Sequence, residues 1–315
     1  MQVTVIITSF NDLRILKTID SLLDQTRKPD HVVIADGGSP PYFEREVRDY
    51  IEPHRTQFRY NILRGRCVDT RRKAIEMLVF KENWFKTEIV SWIDADERAK
   101  QDWLENLIEP IEGGKADFTC GPWEPTPEKS KPEKILNEIE RKNQELAIKD
   151  QTYMAMGNSA WNAEIFKKVG NFDDSSDSQI PDAMLAKEGI VAGHYVSEDF
   201  DLVLRARNAG FRSKFVENAV VYHDQSHVNT YGKLTRYKYN NYVRAGMAYF
   251  KNRSGMGKFT QATRQQEITH PFEMFLLLVK TVALINAWKE YNKIWRGKDG
   301  NSTRIEEKEN ASTNL

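Results

Sequence analysis

Short β-branched runs alternate with segments of helical period through the first third of the chain, and this alternation limits the fold more than any other feature. Apolar runs predict strands at residues 3–7, 31–35, 60–63 and 89–93. The first segment between them predicts a helix with one apolar face, formed by Leu13, Leu16, Ile19 and Leu23. Because strands joined through helices are typical of parallel βαβ units, we expect an α/β fold built on a parallel sheet.

The composition is that of a globular protein without a strong overall electric field. Of the 315 residues, 40% are hydrophobic, which is enough for a large core. The 46 basic and 46 acidic side chains give a net charge of zero, so we expect no nucleic acid partner. Any anion that this protein binds must therefore be held by a local site.

The chain has only two cysteines, Cys67 and Cys120, without the spacing of a disulfide scaffold or a zinc site. Its first residues form an apolar run that lacks the basic region and cleavage site of an export signal. We therefore expect a cytoplasmic protein. The most apolar later stretch, residues 272–288, is interrupted by polar residues, so we do not expect it to cross a membrane.

Polar loops follow three of the predicted strands, at residues 8–11, 36–39 and 94–96. In open parallel sheets, ligands bind beyond the carboxyl ends of the strands, where such loops and the amino termini of helices meet. The sequence therefore predicts one ligand site to which all three loops contribute.

Asp94 and Asp96 flank one alanine in a segment predicted to be extended, so we expect both side chains on the same face. Neighbouring carboxylates repel each other unless a cation is bound, and their oxygens suit a divalent ion. His223 follows the predicted strand at residues 219–222, and its imidazole can complete a metal site with Asp96. The alternatives are a solvated acidic turn and an ordinary histidine of the core or the surface.

Glu198 and Asp199 begin a predicted helix that ends before Gly210. The helix dipole keeps carboxylates ionised at this end, and an ionised carboxylate can serve as a base. Acidic first turns are also common in helices that have no such role.

Arg71 lies near the start of another predicted helix, where positive charge opposes the dipole and a bound diphosphate can compensate. A solvated basic turn explains this residue equally well. Asp36 is either a turn former or an acid that contacts a base or ribose, as in dinucleotide folds.

Several motifs occur in a fixed order: VTVIITSFND, VVIADGGS, an arginine after a glycine-containing turn (Arg71), SWIDADE, GNSAWNAEIFKKVGNFDD, SEDFDLVLRARNAGF and VVYH. In this order and spacing they resemble glycosyltransferase family 2 over roughly residues 1–225. The resemblance implies the GT-A fold, an α/β fold with a Rossmann-like mixed sheet flanked by helices. It also implies inverting transfer of a sugar from a nucleotide-diphosphate donor.

The resemblance implies a role for each candidate residue. The residues around the nucleotide are Thr8, Phe10, Asn11, Asp36, Arg71, Asp94 and Ala95, the first four at the nucleobase and Asp94 near the ribose. By the same resemblance, Asp96 and His223 bind Mn²⁺ or Mg²⁺ at the donor diphosphate, with Asp94 beside them. Asp199 is then the general base that deprotonates an acceptor hydroxyl, and Glu198 is its neighbour.

Two departures from the family pattern concern the donor and the mode of transfer. The family commonly has two acids where this chain reads Asp36-Gly37, and an Arg-Asn pair where it reads Arg71-Arg72. The donor base is therefore open between a UDP-sugar, which we favour, and GDP-mannose. The QxxRW signature of polymerising members is missing after His223, so we expect a single transfer per encounter, in the assembly of a glycan or a lipid-linked oligosaccharide.

We divide the chain into a catalytic domain at residues 1–225, a helical extension at 226–296 and a disordered tail at 297–315. Residues 1–115 are assigned to a nucleotide-binding half and residues 116–225 to an acceptor-binding half. Basic and aromatic residues alternate through the extension.

One helix of the extension has a continuous apolar face, formed by Phe272, Phe275, Leu276, Val279 and Ala283. The face packs on the catalytic domain, on a second subunit of a homodimer, or on a membrane. The last arrangement implies peripheral association through residues 272–296 at a cytoplasmic membrane face, with a lipid-linked sugar as the acceptor. Packing on protein is favoured, because helices of globular proteins are usually amphipathic for that reason.

Two other functions share these features. A catalytically silent nucleotide-sugar-binding protein would keep the fold but needs no base, so the presence of Asp199 with Asp94, Asp96 and His223 favours an enzyme. A nucleotidyltransferase also needs carboxylates and a metal. Such enzymes usually carry a Gly-rich basic loop after the first strand, and SFNDLR is a poor match to one.

Overall fold

The computed structural model describes residues 1–81, 86–149, 156–172, 198–251 and 271–291. These residues form two compact units. The larger unit holds the described residues up to 172 and residues 198–231, and the smaller unit holds residues 232–251 and 271–291. The predicted tail at 297–315 lies outside the described residues, and the predicted domain boundaries remain predictions.

The larger unit is built around a mixed sheet. Its strands are β1 (Val3–Ser9), β2 (His31–Asp36), β3 (Phe58–Ile62), β4 (Ile89–Asp94), β5 (Glu97–Ala99), β6 (Phe118–Cys120), β7 (Trp123–Pro125), β8 (Ser159–Asn162), β9 (Ser213–Phe215) and β10 (Val221–His223). Seven of them form one sheet in the order β3-β2-β1-β4-β8-β6-β9. The first four strands are parallel, as predicted. β8 pairs antiparallel with β4 and β6, which makes the sheet mixed.

Helices cover the sheet. They are α1 (Ile15–Leu23), α2 (Pro41–Ile51), α3 (Cys67–Ile75), α4 (Trp103–Glu112), α5 (Lys131–Lys149), α6 (Ala163–Val169) and α7 (Glu198–Asn208). A π-helical turn continues α3 over Glu76–Phe80, and 3-10 turns lie at Glu52–His54 and Met156–Asn158.

β1 is buried on both faces, and successive residues of a strand point to opposite sides. Val5 and Ile7 join an apolar cluster with side chains of α1, α2 and α4, whereas Ile6 joins a second cluster with side chains of α3, α6 and α7. A fully buried side chain of this size contributes on the order of 1.5–3 kcal/mol relative to an exposed one. The strand ends therefore stand on a firmly packed scaffold.

The carboxyl ends of β1, β2 and β4 lie side by side at one edge of the sheet. Thr8 on β1 is in register with Asp94 on β4, and Ser9 is in register with Asp36 on β2. Strand register alone therefore brings together three of the residues that the sequence assigns to the nucleotide.

A second, three-stranded sheet has the order β5-β10-β7. His223 on β10 pairs antiparallel with Glu97 on β5, and the backbone N–H of Asp224 donates to the carbonyl of Asp96 at 2.9 Å. This small sheet carries His223 back to the segment that follows β4, across more than a hundred residues of sequence.

Helix α1 begins later than the sequence predicts. Leu13 lies before the helix and is exposed, and the buried residues of α1 are Ile15, Thr18, Ile19 and Leu22. Residues 10–14 form a turn instead, with Asn11 at a φ of 49°. The predicted helix therefore starts too early in the sequence, because the polar loop after β1 is longer than the apolar pattern indicates.

Asn158 joins three segments below the site. Its side-chain oxygen accepts from the indole N–H of Trp103 at 2.7 Å, and its amide donates to the carbonyls of Pro122 and Ala219, each at 2.8 Å. Asn158, Trp103 and Ala219 are buried, and a buried polar group left without a partner costs about 1–3 kcal/mol. Asn158 therefore fixes the position of Gly157, which borders the site.

The smaller unit contains the helices α8 (Tyr231–Lys251) and α9 (Pro271–Tyr291). The side-chain amide of Asn286 donates to the hydroxyl of Tyr239 at 2.9 Å, and Lys280 lies 5.7 Å from the ring centre of Tyr242. Among the described helices, none combines the length and apolar character needed to cross a membrane.

The predicted apolar face of α9 is correct only in part. Leu276 and Ala283 are buried as expected, but Phe275 is exposed. The exposed large apolar side chains of α9 are Met274, Phe275, Leu277, Leu278, Val282, Leu284, Ile285 and Trp288. The helix is therefore apolar around most of its circumference, because polar residues are too few to form an opposite face.

Candidate active site

Asp94 is held at the end of β4 by two side chains. Thr8 donates its hydroxyl to Asp94 Oδ1 at 2.6 Å, and Arg71 Nη2 lies 3.1 Å from the same oxygen. Thr8 reaches Asp94 because the strand register places them side by side. Thr8 and Asp94, which the sequence assigns to different loops, are thus joined by a hydrogen bond.

Arg71 connects the sheet edge to the amino terminus of α7. Its guanidinium is buried, with Nη1 2.7 Å from Glu198 Oε1, and it lies 5.9 Å from the ring centre of Trp92. The charge of Asp199 also acts on Arg71. The anions that compensate Arg71 in this structure are therefore carboxylates of the protein, in the place where the sequence predicts a diphosphate.

The loops after β1 and β2 meet at Ser39. The backbone N–H of Asn11 donates to the Ser39 hydroxyl at 2.7 Å, and the N–H of Ser39 donates to Asp36 Oδ2 at 3.0 Å. Asp36 is fully buried and also accepts from the Ser39 hydroxyl, so it acts here as a turn former. The ring of Phe10 lies beside Gly37 and is 67% exposed, which leaves an aromatic surface open at this end.

The chain turns sharply after Asp94, so the expectation that Asp94 and Asp96 share one face of an extended segment is wrong. β4 ends at Asp94, and residues 95–96 form a turn before β5. Thr18 fixes this turn by donating its hydroxyl to the carbonyls of Ala95 at 2.9 Å and Glu97 at 2.6 Å. The two carboxylates consequently have different partners.

Asp96 faces His223. Asp96 Oδ2 lies 3.4 Å from His223 Nε2, and the imidazole ring packs edge-on against Trp123 at 5.9 Å. Burial disfavours the charged imidazole, but the hydrogen bond and charge of Asp96 outweigh it and raise the pKa of His223 to about 9. Burial likewise disfavours the charged carboxylate, yet His223 and then Arg14 hold the pKa of Asp96 below its ordinary value.

Glu97 is a buried acid inside the site. One carboxyl oxygen accepts the backbone N–H of Asp94 at 3.0 Å. Burial, followed by the charge of Asp94, raises the pKa of Glu97 to about 8, which favours the neutral form of this carboxyl. A Cβ on Gly157 would lie 2.8 Å from Glu97 Oε2 and 2.6 Å from Asp94 Oδ2, so a larger residue at this position would displace both carboxyl groups.

The residues around Asp96 suit a divalent cation. Asp96 and His223 present one carboxylate oxygen and one imidazole nitrogen, a donor set that Mn²⁺ accepts. Within the described ranges, no group of three or more His, Cys, Asp or Glu side chains is placed to hold a metal ion. A cation at Asp96 and His223 would thus need further ligands from outside the protein, as is usual where substrate phosphates complete the coordination.

No pattern in the sequence marks Arg14, Thr18, Glu97 or Gly157 as a residue of the site. Glu97 adjoins the acidic motif in SWIDADE, but only the packing around it shows that it is buried. Arg14 lies in the predicted helix without any distinguishing pattern. A three-dimensional contact, its 3.4 Å approach to Asp96 Oδ2, is what identifies it.

Residues 4–170, just over half of the chain, match the model of Glycosyl transferase family 2, and the chain belongs to this family. One similar structure is the mannosyltransferase PcManGT from Pyrobaculum calidifontis in complex with GDP-Man and Mn²⁺. The match covers 91% of this chain and 73% of the mannosyltransferase chain, with 16% sequence identity and a TM-score of 0.55. Another is the crystal structure of GalNAc-T7 with UDP, GalNAc and Mn²⁺. That match covers 81% of this chain and 52% of the GalNAc-T7 chain, with 14% sequence identity and a TM-score of 0.50. No curated protein matches the chain. The family and the GT-A fold are thus confirmed.

Replacing Glu97 by Gln tests whether its carboxyl is neutral in the folded protein. A carboxyl with a raised pKa stabilises the fold most below its ordinary value of 4.5 and loses that contribution as the pH rises through about 8. His223 loses its contribution in the same direction, from its ordinary value of 6.5 to about 9. We expect the wild-type protein to lose stability between about pH 6 and pH 9, and Glu97→Gln to lose less, because an amide releases no proton.

Thermal unfolding without added metal at both ends of this pH range checks the prediction. The control is Glu145→Gln on the exposed side of α5, which should follow the wild-type protein. Equal pH dependence of Glu97→Gln and wild type would show that Glu97 is ionised.

Proposed function

We propose that this family member is a metal-dependent, inverting glycosyltransferase that moves one sugar from a nucleotide-diphosphate donor to an acceptor hydroxyl. The observation that carries the proposal is the pairing of Asp96 with His223 next to the linked group of Asp94, Arg71 and Glu198. Asp96 and His223 offer ligands for a cation. In the linked group, Glu198 is followed directly by Asp199, the proposed base. A UDP-sugar is the favoured donor, with GDP-mannose as the other candidate.

The donor side is formed by the strand ends. Phe10 offers an exposed ring for a nucleobase, and Asn11 shapes the adjoining loop. Asp94, held by Thr8 and Arg71, is proposed to contact the ribose, and the buried Ala95 lies in the adjoining turn that Thr18 holds. The similar structures support nucleotide binding on this fold, since one is described with GDP-Man and the other with UDP.

Asp96 and His223 are the proposed metal ligands, with Mn²⁺ or Mg²⁺ as the ion. Mn²⁺ is described in both similar structures. When bound, the cation takes up negative charge that develops on the departing diphosphate. The chain contributes by holding the imidazole against Trp123 and by fixing the carboxylate through the turn at Ala95.

Asp199 is the proposed general base. It lies in the first turn of α7, and Glu198 beside it is held by Arg71. In the proposed step, the acceptor hydroxyl gives its proton to Asp199 while its oxygen bonds to the anomeric carbon. The bond from that carbon to the diphosphate oxygen breaks, and the nucleoside diphosphate leaves with the electron pair. Attack opposite the leaving group inverts the anomeric centre.

Nucleotide binding provides the first test of the proposal. We expect UDP or GDP to raise the melting temperature when Mn²⁺ is present, because a ligand that binds only the folded state stabilises it. The metal-dependent part of this increase should be lost in Asp96→Ala and kept in Asp49→Ala, which changes an exposed acid of α2. If no nucleoside diphosphate stabilises the protein with any divalent metal, the proposed function is wrong.

Asp199→Asn separates binding from chemistry. We expect this variant to bind the nucleotide as the wild-type protein does, because Arg71 contacts Glu198 and Asp94 directly. Transfer should fall by at least about 100-fold, since general base catalysis contributes on the order of 10²–10⁴. Release of nucleoside diphosphate from the donor with a panel of acceptors measures the rate, and undiminished release would remove Asp199 from the base role.

The acceptor is proposed to be a sugar linked to a lipid, reached from an anionic membrane surface. α9 exposes eight large apolar side chains, including Leu277 and Leu278 at 54% and 62%. α8, in the same unit, contains five basic residues and no acidic residue. Exposed apolar side chains together with basic charge favour the interface of anionic lipids, where both can be accommodated.

Vesicle binding tests the membrane proposal. We expect the protein to sediment with phosphatidylglycerol vesicles and less with phosphatidylcholine vesicles. Changing Leu277 and Leu278 to Gln should reduce sedimentation, whereas changing Leu13 and Phe80, exposed apolar residues of the larger unit, should not. Absence of sedimentation with either lipid contradicts the proposal. If the protein is instead a dimer that the Leu277 and Leu278 changes disrupt, the exposed apolar side chains of α9 bind a second copy of the chain and the membrane proposal is wrong.

A further inference from the structure

We propose that Arg14 is a positioning residue that holds Asp96 before the metal binds, and that it makes binding of the divalent cation depend on the nucleotide diphosphate. This inference rests on the proposed function for the identity of the two ligands. It concerns a residue outside the candidate set, at the beginning of α1.

Arg14 and the proposed metal site use the same oxygen. Arg14 Nη2 lies 3.4 Å from Asp96 Oδ2, and His223 Nε2 also lies 3.4 Å from that oxygen. A cation bound to Asp96 would lie about 2.0–2.6 Å from the carboxylate, and so close to a permanent positive charge.

The guanidinium is anchored from two further directions. Arg14 Nε donates to Asp12 Oδ1 at 2.9 Å, and Nη1 lies 3.5 Å from Asp224 Oδ1. Nη1 also donates to the backbone carbonyl of Asp224. Asp224 directly follows His223, so Arg14 fixes both proposed metal ligands relative to the loop after β1.

Charge decides what this arrangement does. With only two protein ligands and a guanidinium alongside, the free protein is a poor site for a divalent cation. A diphosphate supplies both oxygen ligands for the metal and negative charge that offsets Arg14. Metal and nucleotide should therefore strengthen each other's binding, and by linkage the factor is the same in both directions.

The test is titration with Mn²⁺, followed by the electron paramagnetic resonance signal of the free ion, with and without UDP or GDP. In the wild-type protein, we expect the nucleotide to tighten Mn²⁺ binding at least tenfold. In Arg14→Gln, nucleotide-free protein should bind Mn²⁺ about tenfold more tightly than wild type, so the effect of the nucleotide shrinks. Arg14→Lys keeps the charge and should restore weak binding.

Arg48→Gln is the matched control, because Arg48 pairs with Glu44 on the exposed side of α2 and should leave Mn²⁺ binding unchanged. Equal or weaker Mn²⁺ binding by nucleotide-free Arg14→Gln overturns the proposal. If this variant does not fold, the wild-type titrations still decide, since equal Mn²⁺ affinity with and without nucleotide contradicts it. If no nucleotide binds, the proposed function fails, while the comparison of nucleotide-free proteins still tests Arg14.

Discussion

The buried guanidinium of Arg71 is the interaction on which the arrangement of the site depends. It lies between Asp94, at the end of β4, and Glu198, at the start of α7, two elements separated by more than a hundred residues of sequence. The Arg71 side chain is only 7% exposed, so removing either carboxylate would leave a buried charge with one partner fewer, which is destabilising. Neither carboxylate can therefore leave Arg71 easily, and the position of Asp199 follows from that of its neighbour Glu198. The base proposed for the acceptor is thus fixed relative to the residue proposed for the donor.

The turn after β4 then separates the acids into two groups. Because Thr18 holds the carbonyls of Ala95 and Glu97, Asp94 stays with Arg71 while Asp96 meets His223 and Arg14. Each acid has basic partners of its own, and the raised pKa of Glu97 between them favours a neutral carboxyl. A neutral Glu97 allows three acids to lie close together with few bases, because an ionised Glu97 would be repelled by Asp94 and Asp96.

The sequence was sufficient to predict the parallel strands, the edge at which Thr8, Asp36 and Asp94 meet, and the family. The strands and their common edge depend on short-range periodicity and on the polar residues at the strand ends, whereas the family was predicted from the resemblance of its ordered motifs. It was not sufficient for the start of α1, where the apolar period continues into a turn, or for the same-face placement of Asp94 and Asp96, which a two-residue turn reverses. Arg14 and Glu97 were missed because their roles come from contacts with Asp224, Asp96 and the N–H of Asp94, which no local pattern encodes. In α9, the exposed Phe275 shows that an apolar spacing does not determine which side of a helix is covered.

The charges of the site also explain why a nucleotide and a cation would need each other. The bases Arg14, Arg71 and His223 have a larger number of acids near them, namely Asp12, Asp94, Asp96, Glu198, Asp199 and Asp224. A diphosphate alone would enter a region with more negative than positive charge, and a cation alone would meet Arg14. In the proposed function, the two ligands together would offset both conflicts, because phosphate oxygens would compensate the guanidinium and the cation would compensate the carboxylate. If Arg14 acts as proposed, selectivity for the complete metal–nucleotide pair would follow from the placement of a single arginine among acids.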